Sequence, residues 1–130
     1  SVDVARLQRG AVMPILGVGI DIVEIERIRE IVEREPRAAG RLFTPAELDH
    51  CMGTQSCYVH LAGRFAAKEA VAKALGKPLS WQDVEILSEP SGKPVAVLSG
   101  PASEAAYGAV VHVTISHSRD YATAVAVVEE

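Results

Sequence analysis

Cysteine is scarce in this chain. Cys51 and Cys57 are its only two, too few for a disulfide framework, and such usage fits a reducing cytoplasm. Long hydrophobic runs are missing as well. The longest charge-free apolar stretch, Gly10 to Ile20, contains Pro14 and stops at Asp21, short of the roughly 18 residues that a membrane helix needs. No cationic start leads into an apolar run and a small-residue cleavage site, so no secretory signal is expected. A surplus of basic residues is also lacking: the net charge is -4, which argues against a nucleic-acid binder. There is no low-complexity segment and no internal repeat. What is present is 130 residues, 48% of them hydrophobic and 23% charged. A chain of that length can bury about two-thirds of its unfolded surface, so one soluble, cytosolic domain is expected rather than a disordered chain.

The charges are unevenly placed. Arg27, Arg29, Arg34, Arg37 and Arg41 outnumber Glu30, Glu33 and Glu35, and Arg64, Lys68, Lys73 and Lys77 face only Glu69. From Trp81 onward, seven acids face Lys93 and Arg119. Two basic patches on an acidic protein suit anionic partners smaller or more specific than a duplex, although solvated helix faces would look the same.

The chain begins at Ser1, and Met13-Pro14 directly precedes the first strong pattern. Residues 1–12 are therefore expected to be an N-terminal extension or tag remnant, and residues 13–130 a single domain. Ile15 to Ile22 reads as a buried strand in which Gly17 and Gly19 permit close backbone approach. Ile25, Ile28, Ile31 and Val32 recur at helical spacing until Pro36 ends the run. Thr44-Pro45-Ala46-Glu47 has the form of a capped helix start. Tyr58 to Leu75 reads as a long alanine-rich helix closed by Gly76. Beyond Pro78 the period becomes that of strands. Val84–Leu87 and Pro94–Leu98 flank a turn, Pro101–Tyr107 is a short helix, and Val110–Ser116 and Ala122–Val128 flank a second turn. The expected fold is α+β, a mostly antiparallel sheet with helices on one face. The last strand is apolar on both faces, so a second subunit could cover one of them.

Polar groups concentrate in three apolar settings. Asp21 ends the run Gly17-Val18-Gly19-Ile20-Asp21, where it could simply cap the next helix. Glu69 and Lys73 lie four apart on the long helix, as do Arg64 and Lys68. Taken alone, the Glu69–Lys73 spacing would be an exposed contact worth roughly 0.2–0.5 kcal/mol. His117 lies within Ser116-His117-Ser118 at the tip of the last turn, where a histidine is usually just solvated.

Together, Gly19-Ile20-Asp21, Phe65-Ala66-Ala67-Lys68-Glu69-Ala70-Val71-Ala72-Lys73 and Ile115-Ser116-His117-Ser118 resemble the 4'-phosphopantetheinyl transferases, in particular their short holo-acyl carrier protein synthase type. The resemblance extends to Leu61-Ala62-Gly63-Arg64-Phe65, Trp81-Gln82-Asp83-Val84-Glu85-Ile86, Ser91-Gly92-Lys93-Pro94 and Val111-His112-Val113. It runs in order from Ile15 to Glu129. It implies transfer of the phosphopantetheine arm of coenzyme A to a serine of apo-acyl carrier protein, with release of adenosine 3',5'-bisphosphate. It further implies Mg2+ held by Asp21 and Glu69, with Glu69 and Lys73 as the catalytic pair. Arg64, Lys68, Lys73, Ser91, Gly92, Lys93, Pro94, His117 and Ser118 would contact the coenzyme, and Arg27 and Arg37 the acidic carrier protein. A homotrimer with its sites between subunits is implied too, since longer relatives carry two such units in one chain.

These roles suit a reaction that depends on positioning and charge neutralisation, because a hard cation takes one or two carboxylates plus phosphate and water oxygens. The acceptor of the serine proton stays open among a water on the metal, Glu69 and a neighbouring carboxylate. Ser91-Gly92-Lys93-Pro94 is equally a plain hairpin turn or a loop reaching the adenine. One departure stands out: Gly53 to His60 has no lysine or arginine where relatives often have them, so a contact there could have moved to His60. Two competing classes remain. His50-Cys51 and Cys57-x-x-His60 would make a zinc site, but five residues between the cysteines fit no common spacing, and two small buried thiols are the plainer account. A module that binds coenzyme A or a carrier protein without chemistry has no need of a cation between carboxylates. A transferase serving peptidyl or polyketide carrier domains would keep the same site.

Overall fold

The computed structural model describes residues 14–130, so the expected extension at residues 1–12 lies outside the described residues. The chain opens with β1 (Ile15–Glu24), followed by α1 (Ile25–Arg34), α2 (Pro36–Leu42), α3 (Pro45–Met52) and the long α4 (Cys57–Leu75). After a single 3-10 turn (Trp81–Asp83) come β2 (Val84–Ser88), β3 (Pro94–Leu98), α5 (Gly100–Ala106), β4 (Val110–His117) and β5 (Tyr121–Glu129). β1, β5 and β4 form one antiparallel sheet in that order, and β2 and β3 form a separate antiparallel hairpin. This is the expected α+β arrangement, with α4 packed across one face of the larger sheet.

Two local expectations change. Pro36 does end α1, but it also starts α2 as its first residue, where its missing N–H costs nothing. β1 was expected to be buried, and it is buried on one face only: Leu16, Val18, Ile20 and Ile22 remain 55–64% exposed. Strand side chains alternate, so Gly17, Gly19, Asp21 and Val23 share the inner face.

Small residues on that inner face set the distance to α4. Ala122, Ala124 and Ala126 of β5 are fully or almost fully buried beneath the helix, as are Ala67 and Ala70 on the helix itself. A Cβ at Gly17 would lie 1.9 Å from the Ala74 carbonyl oxygen, and one at Gly19 would lie 2.0 Å from that of Ala70. The strand therefore rides on the helix backbone. Its next inward residue, Asp21, lies a step further along, toward the turn that carries Phe65 and Glu69. Gly76, at φ 73°, closes α4 in the left-handed conformation expected of a C-terminal glycine.

A second cluster of Ile28, Phe43, Leu61, Ala62 and Cys51 seats α1 to α3 against the first half of α4. At the start of α3 the expected capping box forms. Thr44 N–H donates to Glu47 Oε1 at 2.7 Å, and Glu47 N–H donates to Thr44 Oγ1 at 3.3 Å. Glu47 is fully buried and also accepts the Ile86 N–H at 2.7 Å. Arg64 Nε donates to the Ile86 carbonyl at 3.0 Å, so β2 is tied to the helices through both backbone groups of one residue.

Candidate active site

Asp21 and Glu69 face one cavity of about 330 Å3, lined also by Ile22, Val23, Arg27, Ile28 and Phe65. The capping role open to Asp21 is not taken, since α1 starts at Ile25 with Glu24 before it and no side-chain cap. Asp21 is instead held by its own backbone, whose carbonyl accepts from Thr123 Oγ1 at 2.7 Å. The Lys73 ammonium donates to Asp21 Oδ1 at 3.1 Å and to the Ile20 carbonyl at 3.0 Å. Lys73 thus reaches across to β1 rather than along its helix to Glu69. Glu69 Oε1 accepts from Trp81 Nε1 at 2.6 Å.

Two carboxylates on one cavity, with a cation already drawn to one of them, are an oxygen donor set that a hard divalent ion accepts. Among the described residues no group of three His, Cys, Asp or Glu side chains is placed to hold a metal. Phosphate oxygens and water would have to supply the remaining ligands of an ion at Asp21 and Glu69, as is usual for Mg2+.

Lys68 corrects an expectation. It was placed on the coenzyme phosphates by resemblance, but its side chain is 1% exposed and its Nζ is spent within the fold. Nζ lies 2.6 Å from Glu47 Oε1 and donates to the carbonyls of Leu42 (2.7 Å) and Trp81 (2.8 Å). Burial lowers its pKa, and the Glu47 carboxylate works against that shift. Three oxygen partners and a fully buried counterion leave no donor for a phosphate.

Apart from Lys73, the other residues expected at the coenzyme gather elsewhere. Arg64, Gly92, Pro94 and His117 line a cavity of about 380 Å3, together with His50, His60, Ser88 and Glu89. Ser91-Gly92-Lys93-Pro94 does form the hairpin turn between β2 and β3: Gly92 sits at φ 91° and its N–H donates to the Glu89 carbonyl at 2.8 Å. Arg64 and Glu69 are five residues apart, about 140° around the helix, so the two cavities open on different sides of α4. Ser91, Lys93 and Ser118 are exposed beside the second cavity's turns, and Arg37 is exposed on α2. His60 carries a lowered pKa, caused first by burial and then by the charges of Arg64, His50 and His117.

The cysteines are engaged within the fold. Cys51 is fully buried and accepts from Arg64 Nη1 at 3.2 Å, and burial pushes its thiol up to about 11. Cys57 contacts Met52 Sδ at 3.4 Å, and His60 Nδ1 lies 3.5 Å from Thr54 Oγ1.

Residues not expected at the site also shape it. Trp81 and Thr123 hold Glu69 and Asp21, and Glu47 neutralises Lys68. For Trp81 the motif Trp81-Gln82-Asp83 was visible, but nothing in it points to Glu69. The Thr123 contact spans 102 positions of sequence and leaves no local trace.

Comparison with known proteins shows the family and the fold. Residues 17–126 match the family described as the 4'-phosphopantetheinyl transferase superfamily. A holo-[acyl-carrier-protein] synthase of Moorella thermoacetica is 46% identical over 120 residues, covering 88% of this chain and 94% of that protein. One from Geobacillus kaustophilus is 47% identical, covering 88% of this chain and 89% of its own length. Among solved structures, a Bacillus anthracis holo-(acyl-carrier-protein) synthase in complex with CoA (3',5'-ADP) superposes with a TM-score of 0.78 at 34% identity, covering 90% of this chain and 98% of that one. The Helicobacter pylori synthase in complex with coenzyme A gives 0.76 at 33% identity, covering 86% and 99%. A family match over residues 17–126, with relatives 46–47% identical over most of the chain, makes this chain a member of the 4'-phosphopantetheinyl transferase superfamily.

Proposed function

We propose that the chain is a holo-acyl carrier protein synthase that moves the phosphopantetheine arm of coenzyme A onto a serine of apo-acyl carrier protein. The observation that carries this reading is the meeting of Asp21, Glu69 and Lys73 at one site, within a fold shared with synthases solved in complex with coenzyme A. In the reaction a serine oxygen attacks the phosphorus next to the pantetheine arm. The bond from that phosphorus to the bridging oxygen breaks, and adenosine 3',5'-bisphosphate leaves. Asp21 and Glu69 would hold Mg2+, which supplies charge neutralisation for the pyrophosphate. Lys73 is exposed and bound only at its tip, so it can turn from Asp21 to a phosphate and offset or protonate the leaving oxygen. Arg27, exposed and lining the same cavity, would meet an acidic carrier protein, with Arg37 on α2 as a second contact. Such rim charges act mainly on encounter rate and salt dependence. A cytoplasmic site of action suits these substrates.

The reading also takes the protein as a homotrimer. Leu16, Val18, Ile20 and Ile22 form an exposed apolar stripe on β1, joined on the same face by Val110 of β4 and Tyr121 of β5. Monomeric surfaces seldom leave so continuous a patch. The carboxylate cavity and the cavity with His117 open apart within one chain, and a neighbouring copy could bring them to one ligand. Val18→Asp should therefore lower the sedimentation mass and the activity together; a trimeric, inactive variant would break that link.

The direct test is intact-mass spectrometry of apo-acyl carrier protein incubated with the protein, coenzyme A and Mg2+. A gain of one phosphopantetheine group is expected, absent with EDTA and lost in Asp21→Ala and Glu69→Ala. Removing the ion's contribution of several kcal/mol corresponds to about a 1,000-fold slower reaction. Transfer undiminished by EDTA, or near-normal rates in either variant, would sink the metal assignment. No transfer despite coenzyme binding would point to a binding module or another carrier.

A further inference from the structure

The short contact between the single tryptophan and Glu69 has no part in the chemistry above. Trp81 Nε1 donates to Glu69 Oε1 at 2.6 Å, a close approach for an N–H donor. The indole is itself held in place. It lies against Phe65, ring centres 6.0 Å apart and planes at 36°. Its backbone carbonyl accepts from Lys68 Nζ at 2.8 Å, and Lys68 is locked by Glu47 at 2.6 Å. The next residue, Gln82, donates its side-chain amide to the carbonyls of Gly40 (2.8 Å) and Phe43 (2.9 Å). The 3-10 turn is thereby tied to α2, to the loop before α3 and to α4 at once.

A glutamate on a partly open cavity would ordinarily sample several rotamers, and an ion would have to select one of them. With one oxygen held by a rigid donor, the carboxylate plane is set and the other oxygen keeps a constant aim. Hydrogen bonds of this kind around metal ligands typically govern affinity by factors of about 10 to 100. We propose that Trp81 is a positioning residue for the divalent-cation site: its indole N–H fixes the Glu69 carboxylate, and the buried Lys68–Glu47 pair fixes the segment that carries the indole. This gives the Lys68 of the helix motif a task inside the protein in place of a phosphate contact. The inference rests on the assignment of Mg2+ to Asp21 and Glu69.

The chain's single tryptophan reports on its own role. With coenzyme A bound, titrating the wild-type protein with Mg2+ should change the tryptophan emission, with a midpoint equal to the KM for Mg2+. Trp81→Phe keeps the ring and removes the donor. Its affinity for Mn2+, read from the paramagnetic resonance of free Mn2+ above the binding of coenzyme A alone, should fall about 10-fold. The KM for Mg2+ should rise to match, while kcat at saturating Mg2+, coenzyme affinity in EDTA and the thermal midpoint stay near wild type. Unchanged Mn2+ affinity in Trp81→Phe, or a kcat loss with no change in KM for Mg2+, would overturn the positioning role. If wild-type protein bound no Mn2+ at all, the cation assignment would fall first and the inference with it.

Discussion

Lys68 and Lys73 leave α4 five residues apart, and each meets a carboxylate: Glu47 at 2.6 Å for the first, Asp21 at 3.1 Å for the second. The Lys68–Glu47 pair is sealed, with side chains 1% and 0% exposed, whereas in the Lys73–Asp21 pair they are 56% and 20% exposed. Burial divides their work. The sealed pair cannot exchange partners without leaving a charge in the interior, so it fixes the junction of α3, α4 and the Trp81 turn. The open pair can be parted at little cost because water and ions take over each member's solvation. The proposed turn of Lys73 from Asp21 to a phosphate requires the second setting.

The comparison breaks most visibly through stability. Lys68→Met should destabilise the protein by about 3–5 kcal/mol in denaturant unfolding, because Glu47 is left buried without a counterion. Adding Glu47→Leu should restore part of that loss; no recovery in the double variant would mean that the pair's hydrogen bonds matter more than its charges.

The open pair should respond in the opposite sense. Lys73→Ala is expected to shift unfolding by less than about 1 kcal/mol and to lower kcat roughly 100-fold through the lost charge stabilisation. A large stability loss without a catalytic one would reverse the two roles.

The smallest effect lies at His60, on the other side of the same helix. Burial and the charges of Arg64, His50 and His117 lower its pKa below the usual 6.5. In acid the unfolded chain therefore takes up a proton before the folded one does. Stability should fall as pH drops below about 6.5 and through the lower folded value, and should level off beneath it. His60→Gln should flatten that part of the pH profile; an identical profile in the variant would place the acid sensitivity elsewhere.

Much of this was legible from residue order. Helix α3 announced itself through Thr44 and Glu47, and α4 through its alanines and Gly76, because caps and periodicity are local properties. Asp21, Glu69 and Lys73 were singled out because their motifs stand in a familiar order. The assignment of Lys68 to the phosphates failed for a physical reason: spacing along a helix says which side a lysine leaves from, not what already fills that side. Glu47 could be read as a cap and nothing more. Its second task arises only once α3, α4 and β2 are packed together. Pro36 shows a similar limit, since a proline that ends one helix is equally suited to start the next.

Residue order by itself determined most of the elements, the two hairpins and the family, because these follow from periodicity, turn residues and motif spacing. Tertiary structure alone decided which charged groups are structural and which remain available. That choice depends on approaches between residues far apart in sequence: Gly17 and Gly19 lay β1 on the backbone of α4, Lys73 then reaches Asp21, and Lys68 is enclosed with Glu47. The free energy of a charge is set by what surrounds it, and its surroundings exist only after the chain has folded.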